Sequence, residues 1–336
     1  MFETVLVADR GVTALRVLRA CQRLDVLAVA VHADDDARLP HVQVADDAVP
    51  LGGRALAETY GDRRKLLEAA QRSGAQAVHP GSGPLALDAQ FAEDVQGAGL
   101  VWLGPPPEDL RPEPAAGPGR RAVAVVGERD GRPAWLGLRT RLGRVLDEQA
   151  GPVDPAVGAV LDRVAGTRGP AAWDVVLGPD GPAGAVPAPL LSPGCSATEA
   201  VSGVDLAALQ LHLAAGDPPP PPGPGAGAAV ALHVRVGESF AGRLRRFRCP
   251  EVDGVRTDVG VAEGSRLTAG TGRLLAVLTA SGADRAQALS RAVEAVDAFE
   301  VSGVPTNLPL LREVVRDPSF VAGEPDDALL ERTRRA

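Results

Sequence analysis

Hydrophobic positions in the first hundred residues follow two alternating patterns. Residues 4–8, 27–31, 77–78 and 100–102 are short apolar runs of the kind that form buried parallel strands. Between them, 12–24, 62–73 and 86–98 carry apolar residues at helical spacing. The first of these helices presents Ala14, Leu15, Leu18 and Cys21, and the second Leu66, Leu67 and Ala70. Asp9-Arg10-Gly11 and the HPGSG run at 79–83 read as tight turns at strand ends, with Gly11 in a left-handed turn before the first helix. Residues 42–49 are short and mixed, and the prolines at 105–107 stop the last strand. Strands alternating with helices predict a doubly wound parallel sheet.

The pattern then breaks. Residues 111–119 are rich in Pro, Gly and Ala, as in a linker. Two strand-like runs, 122–126 and 173–177, flank a predicted helix at 156–164. Residues 217–227 hold the prolines 218–222 and predict an extended, solvated segment. Beyond it, 230–236, 242–247, 254–259 and 273–278 are short strands between turns, and 285–299 and 307–315 are amphipathic helices. This tail reads as α+β and mostly antiparallel. Before it lies 186–206, VPAPLLSPGCSATEAVSGVDL. Its second half has a helix-start pattern, with Ser196 or Thr198 as the cap. Its first half holds no base, guanidinium or amide.

Composition narrows compartment and partners more than fold. A chain of 336 residues with 45% apolar content supports two domains, or one large domain with a smaller one. Aromatic residues are 3%, so the core must be Leu, Val and Ala. A net charge of −8 argues against a nucleic-acid partner. No run matches a membrane span, and the N-terminus has no leader pattern. Cys21, Cys195 and Cys249 form neither a disulfide framework nor a zinc spacing, which fits a reducing, cytoplasmic setting. Lys65 is the sole lysine and reads as a surface residue.

Two long segments resemble one family. VLVADRGVTALRVLRACQRL and HPGSGPLALDAQFAEDVQGAGLVWLGPPPE are similar to the first domain of biotin carboxylases, where the turns read ANRGEIA and HPGYGFLSEN. TEAVSGVDL, GVRTDVGVAEGSRL and GVPTNLPLLREVVRDPSFVAGEPD resemble the family's last domain. The resemblance implies an N-terminal Rossmann-like domain at 1–110, an ATP-grasp remnant at 111–200 and a biotin-carboxylase C-terminal domain at 201–335. It also implies acyl-CoA carboxylase subunits as partners in a homo- or heterodimer, with no nucleic acid and no membrane.

The middle departs from the family. The family's ATP-grasp domain closes a glycine-rich lid over ATP and neutralises the phosphates with lysines; here the segment is too short and has no Gly-rich loop followed by Lys. ERDGRPAWLGLRTRLGRVLDEQAGP is similar to the stretch around the family's ERDCSxQRRxQK motif, with Trp135 where a nucleotide-contacting His stands. Asp174 falls at a metal-binding Glu. Against the family's EMNxRxQVEHxVTE, the second metal Glu is Val186 and the metal Asn is Ala188. The Arg of the bicarbonate and biotin site is Leu190, the Gln is Ser192 and the general-base Glu is Gly194. His233 replaces another active-site Arg. The family's ATP, Mg2+ and biotin are therefore not expected to bind well, and Asp174 is the one metal-ligand candidate. Arg16 and Arg19 match positions on the helix through which the family dimerises.

The expected function is that of a catalytically inactive relative with a scaffold or regulatory role. The alternatives are a reduced carboxylase with weak ATP-dependent ligase activity, or small-molecule binding in the inter-domain cleft. Cys195 reads as passive, His32 and His41 as surface loop residues, and Arg243, Arg245, Arg246 and Arg248 as a solvated face or a contact for an acidic protein.

Overall fold

Apolar strands that must be covered on both faces set the first domain. In a computed structural model of the chain, β1 (Thr4–Val7), β2 (Leu27–His32), β3 (Asp47–Pro50), β4 (Ala77–His79) and β5 (Val101–Trp102) form one sheet. All pairs are parallel, in the order β3-β2-β1-β4-β5. The structure describes residues 1–110, 120–129, 132–142, 145–150, 171–178, 181–218, 221, 223–237, 241–267, 274–325 and 327–335. Val5 and Val7 join one apolar cluster and Leu6 another, so the period-two alternation of β1 feeds the cores on its two faces.

The helices are α1 (Gly11–Arg23), α2 (Pro40–Val44), α3 (Arg63–Arg72) and α4 (Ala89–Gly97). Asp62 and Asp88 accept hydrogen bonds from the backbone N–H groups of Lys65 and Phe91, which fixes where α3 and α4 begin. The mixed stretch 42–49 resolves into the end of α2 and β3. His41 is not a surface residue: it lies on α2 and is fully buried. Burial pushes its imidazole down to about 4, so it stays neutral. Lys65 Nζ donates to the carbonyls of Gly52 and Glu58 and ties down the loop before α3.

The rest of the chain is organised around a second sheet. Its middle-segment strands are β6 (Arg120–Arg129), β7 (Arg132–Leu142), β8 (Leu146–Ala150), β9 (Ala171–Gly178) and β10 (Gly181–Ala188). Then come α5 (Cys195–Ser202), α6 (Leu206–Ala214), β11 (Ala228–Arg235), β12 (Gly242–Arg243) and β13 (Arg246–Arg248). The chain continues through β14 (Val255–Val259), β15 (Arg266–Leu267), β16 (Leu274–Gly282), α7 (Arg285–Ala298) and β17 (Glu300–Ser302). It closes with α8 (Leu308–Val314), α9 (Pro318–Val321) and α10 (Asp327–Arg335). Eight strands pair antiparallel in the order β10-β9-β6-β7-β8-β11-β16-β14. Strand β8 pairs with β11, so the middle segment and the C-terminal segment share one sheet across the expected boundary at 200. The helix expected at 156–164 lies outside the described residues.

One further expectation changes. Ser196 and Thr198 do not cap α5. The cap position is Gly194, which makes no side-chain cap bond, and both hydroxyls lie inside the helix. The glycine end of 217–227 is largely exposed, as expected, but it is also bonded to the fold. Gly223 N donates to Gly203 O at 2.7 Å, Ala226 N to Ala200 O at 2.8 Å and Gly227 N to Gly282 O at 2.9 Å. Gly203 sits at φ +71°, and a Cβ there would stand 2.1 Å from Gly223 O, so only glycine allows this strap over the end of α5. Among the described residues no helix is long and apolar enough to cross a membrane.

Candidate functional site

The stretch 186–206 runs from the edge of the large sheet into the junction of the two outer parts of the chain. Asp174 on β9 lies directly opposite Val186 on β10. The two positions expected to correspond to the family's metal carboxylates are therefore neighbours in register, and one of the two is valine.

The strand ends at Ala188 and the chain turns through 189–194. Ala188, Leu190 and Leu191 are 3%, 3% and 1% exposed and join the cluster containing Val5, Ala14, Val17 and Leu18 of the first domain. Ser192 and Gly194 are buried too. His233 sits on β11 opposite Val277, buried, with its backbone carbonyl accepting from Asn307 Nδ2 at 2.9 Å. Five of the positions expected to face substrate, Ala188, Leu190, Ser192, Gly194 and His233, are therefore buried.

Polar side chains around this loop bond to one another. Arg139 on β7 is fully buried and donates to Thr198 Oγ1 at 2.7 Å and Ser192 Oγ at 3.2 Å. From α1, Arg16 donates to Cys195 Sγ at 2.7 Å and to Glu199 Oε1 at 2.5 Å. From β14, Arg256 donates to Glu199 Oε2 at 2.8 Å and pairs with Asp258 at 3.0 Å. Ser196 accepts from the Thr279 hydroxyl at 2.7 Å. Arg16 thus spends its guanidinium inside the chain, whereas Arg19 is exposed and lines a cavity of about 250 Å3 with Arg23, Asp205 and Arg256. Burial pushes the Cys195 thiol up, which suppresses the thiolate that a nucleophile would need. Arg139, Arg256 and Asp258 lie in segments that resemble the family but were not singled out, because each acquires its role here through partners on other elements.

The switch point of the parallel sheet lies between β1 and β4, where such folds place ligands. Here its contacts are internal. Asp9 accepts from the N–H groups of Ser82 and Arg10, each at 2.8 Å. Gly81 sits at φ +64°, and a Cβ on it would stand 2.2 Å from Asp9 Oδ2. The Thr13 hydroxyl contacts Ser82 Oγ at 2.8 Å and lies 3.4 Å from Leu191 O. His79 Nδ1 accepts from Gly81 N at 2.9 Å, so its Nε2 carries the proton and donates to Gln210 Oε1 at 3.1 Å.

Burial raises Asp9 to about 6 and lowers His79 to about 4. The signs are opposite. Asp9 holds its proton longer in the folded state, so its contribution is present below the unfolded value of 3.8 and is lost as pH rises through about 6. His79 takes its proton later in the folded state, so its contribution is present above 6.5 and is lost as pH falls through about 4. Removing Asp9's titration with Asp9→Asn is expected to cost more at pH 4 than at pH 7. The difference should be ~2 kcal/mol by linkage. Urea denaturation at the two pH values checks it, and an equal cost at both would refute it.

Comparison with known proteins matches both ends of this architecture. Residues 1–110 match the family model of the biotin carboxylase N-terminal domain, and residues 238–332 that of the biotin carboxylase C-terminal domain. The chain is 29% identical to a biotin-dependent acyl-coenzyme A carboxylase alpha3 subunit of Mycobacterium leprae, over 94% of this chain and 71% of that one. It is 25% identical to a biotin carboxylase of Halalkalibacterium halodurans, over 98% and 97% of the two chains. That second alignment runs over 440 positions, more than the 336 residues present here, so a long part of the relative faces gaps. A solved biotin carboxylase domain of a single-chain bacterial carboxylase superposes with a TM-score of 0.83 at 27% identity, covering 98% of this chain and 96% of that one. The chain covers 60% of a Caenorhabditis elegans propionyl-CoA carboxylase alpha chain, one portion of a longer protein. With both terminal domains matched and the fold shared from end to end, the chain belongs to the biotin carboxylase family, as a member shorter than its full-length relatives.

Proposed function

We propose that this chain has no carboxylase activity and acts by binding, as a scaffold or regulatory subunit in an acyl-CoA carboxylase assembly. The burial of Leu190 in the apolar cluster shared with the first domain carries this reading. Carboxylating biotin needs a clamped MgATP, a base for bicarbonate and fixed cations for the developing anions. The residues present do not fit those groups. Val186 leaves Asp174 without the second carboxylate of a metal pair, Gly194 is no base, and Leu190 offers an anion nothing. The guanidinium nearest the loop, Arg139, is already bound to Thr198 and Ser192.

Association is the property the fold still supports. Helix α1 keeps Arg19 and Arg23 at the surface beside Asp205 and Arg256, a patch of both signs that suits a self-complementary or related partner. The relatives include an acyl-coenzyme A carboxylase subunit, so a biotin carboxylase or another carboxylase subunit is the expected partner.

Two measurements test the reading. Bicarbonate-dependent ATP hydrolysis with free biotin and Mg2+ is expected at background, with Asp174→Ala the same as wild type. Turnover that Asp174→Ala abolishes would establish an enzyme instead. Affinity purification from the native host is expected to recover a carboxylase subunit. Recovery of none would remove the scaffold role while leaving inactivity standing.

A further inference from the structure

We propose that the cleft between the 34–39 turn of the first domain and the β12–β15 pair is a binding site for a phosphate group. The cleft encloses about 610 Å3 and is lined by Asp34, Asp35, Arg38, Arg243, Ser265 and Arg266, among others. In the β12–β15 ladder Arg243 lies directly opposite Arg266. Opposed residues of an antiparallel pair have Cβ atoms about 5 Å apart, and like charges placed there repel. Among the described residues Arg38, Arg243 and Arg266 make no ion pair, although most arginines beyond the cleft, such as Arg246 with Glu300, do.

Arg243 is held in place as well as unpaired. Its Nε donates to Gly264 O at 3.0 Å, which anchors the guanidinium, and among the described residues its terminal nitrogens have no acceptor. The strand pair beneath is fixed by Leu244 N to Ser265 O at 3.0 Å and Gly264 N to Leu244 O at 2.8 Å. One anchored guanidinium fork, a second on the opposite strand and a hydroxyl beside them suit a tetrahedral oxyanion.

The acidic wall does not cancel this charge. Asp35 pairs with Arg54 at 3.5 Å, and Asp34 Oδ2 accepts from Gly53 N at 3.2 Å. These carboxylates repel a ligand that is anionic at every point, which favours a compact phosphate seated on the arginine side. The Arg243–Arg266 pair belongs to a separate two-stranded sheet and the cleft lining includes no residue of 186–194, so the site stands or falls independently of the carboxylase question.

Calorimetric titration of the whole chain at low salt tests it, with inorganic phosphate and glycerol phosphate as separate arms for free and esterified phosphate. One-to-one binding in at least one arm is expected. Arg266→Ala should weaken it by about tenfold or more, Arg243→Ala similarly, and added salt should reduce it. Arg248→Ala, an exposed arginine on β13 outside the cleft, should leave it unchanged. The proposal is overturned if neither arm saturates, or if the Arg243 and Arg266 variants bind as the wild type does.

Discussion

Glu199→Gln is expected to destabilise the fold by about 3–5 kcal/mol, the cost of leaving a buried charge without its partner. Glu199 is buried and receives three donors: Arg16 from α1 at 2.5 Å, Arg256 from β14 at 2.8 Å and the Leu206 backbone N–H at 3.1 Å. Glutamine keeps the volume and can still accept from Leu206. What it removes is the negative charge between two guanidinium groups. Arg16 is 10% exposed and cannot recover its hydration, whereas Arg256 is 45% exposed and partly can. Asp258 remains near both, which holds the expected cost toward the lower end of the range. The pair Arg246–Glu300 offers the contrast, because both side chains are about half exposed. Glu300→Gln should cost no more than about 1 kcal/mol. Urea denaturation of the two variants measures the difference. Equal losses would mean that the Arg16–Glu199–Arg256 junction does not hold the outer parts of the chain together.

The first domain was legible because its signals are local. Parallel strands covered on both faces read as unbroken apolar runs, and Asp62 and Asp88 mark helix starts within a few residues of the apolar stripe. The middle segment was legible only in part: the runs at 122–126 and 173–177 lie in β6 and β9, whereas β7, β8 and β10 were missed for physical reasons. Strand β7 carries Arg139 and Arg141 where an apolar residue would announce a core strand, and Arg139 is buried only because Thr198 and Ser192 accept from it. Strand β8 is placed by pairing with β11, a register set by contacts across some eighty positions of chain (Leu146 against Leu232). Strand β10 contains Pro182 and Pro187, which argue against a strand in sequence. It lies at the edge of the sheet, where proline is tolerated.

The site divides along the same line. The expected replacements rest on the motif alone, where Val186, Leu190 and Gly194 cannot do the family's chemistry. What the replacements do instead could not be read from it. The burial of Leu190 depends on α1 reaching it from the start of the chain, and the engagement of Arg16 depends on α5 and β14. The same dependence explains the correction at His41, whose loop-like surroundings gave no hint that it lies on α2 with its ring enclosed.

Restoring the family's arginine with Leu190→Arg is expected to damage the protein rather than revive it. Leu190 is 3% exposed within the cluster that includes Leu18 and Leu191. An arginine there loses the leucine's apolar contacts and brings a guanidinium into an environment that offers it no carboxylate on the 186–194 stretch. The expected cost is about 4 kcal/mol or more, since an unpaired charge in an apolar interior costs several kcal/mol after relaxation. Leu190→Met keeps the volume and should cost less than about 1.5 kcal/mol. The comparison separates two histories of the site. If the cleft is still open and merely lacks its side chains, Leu190→Arg will be tolerated, and calorimetry will show MgATP or bicarbonate binding better than in the wild type. If the loop has become part of the core, the melting temperature will fall sharply, no ligand will be gained, and Leu190→Met will stay near the wild type. The packing of Leu190 against the first domain favours the second outcome. Such a cost would itself oppose reversion, because the first step back toward chemistry destabilises the junction that the replacement Leu190 now helps to build.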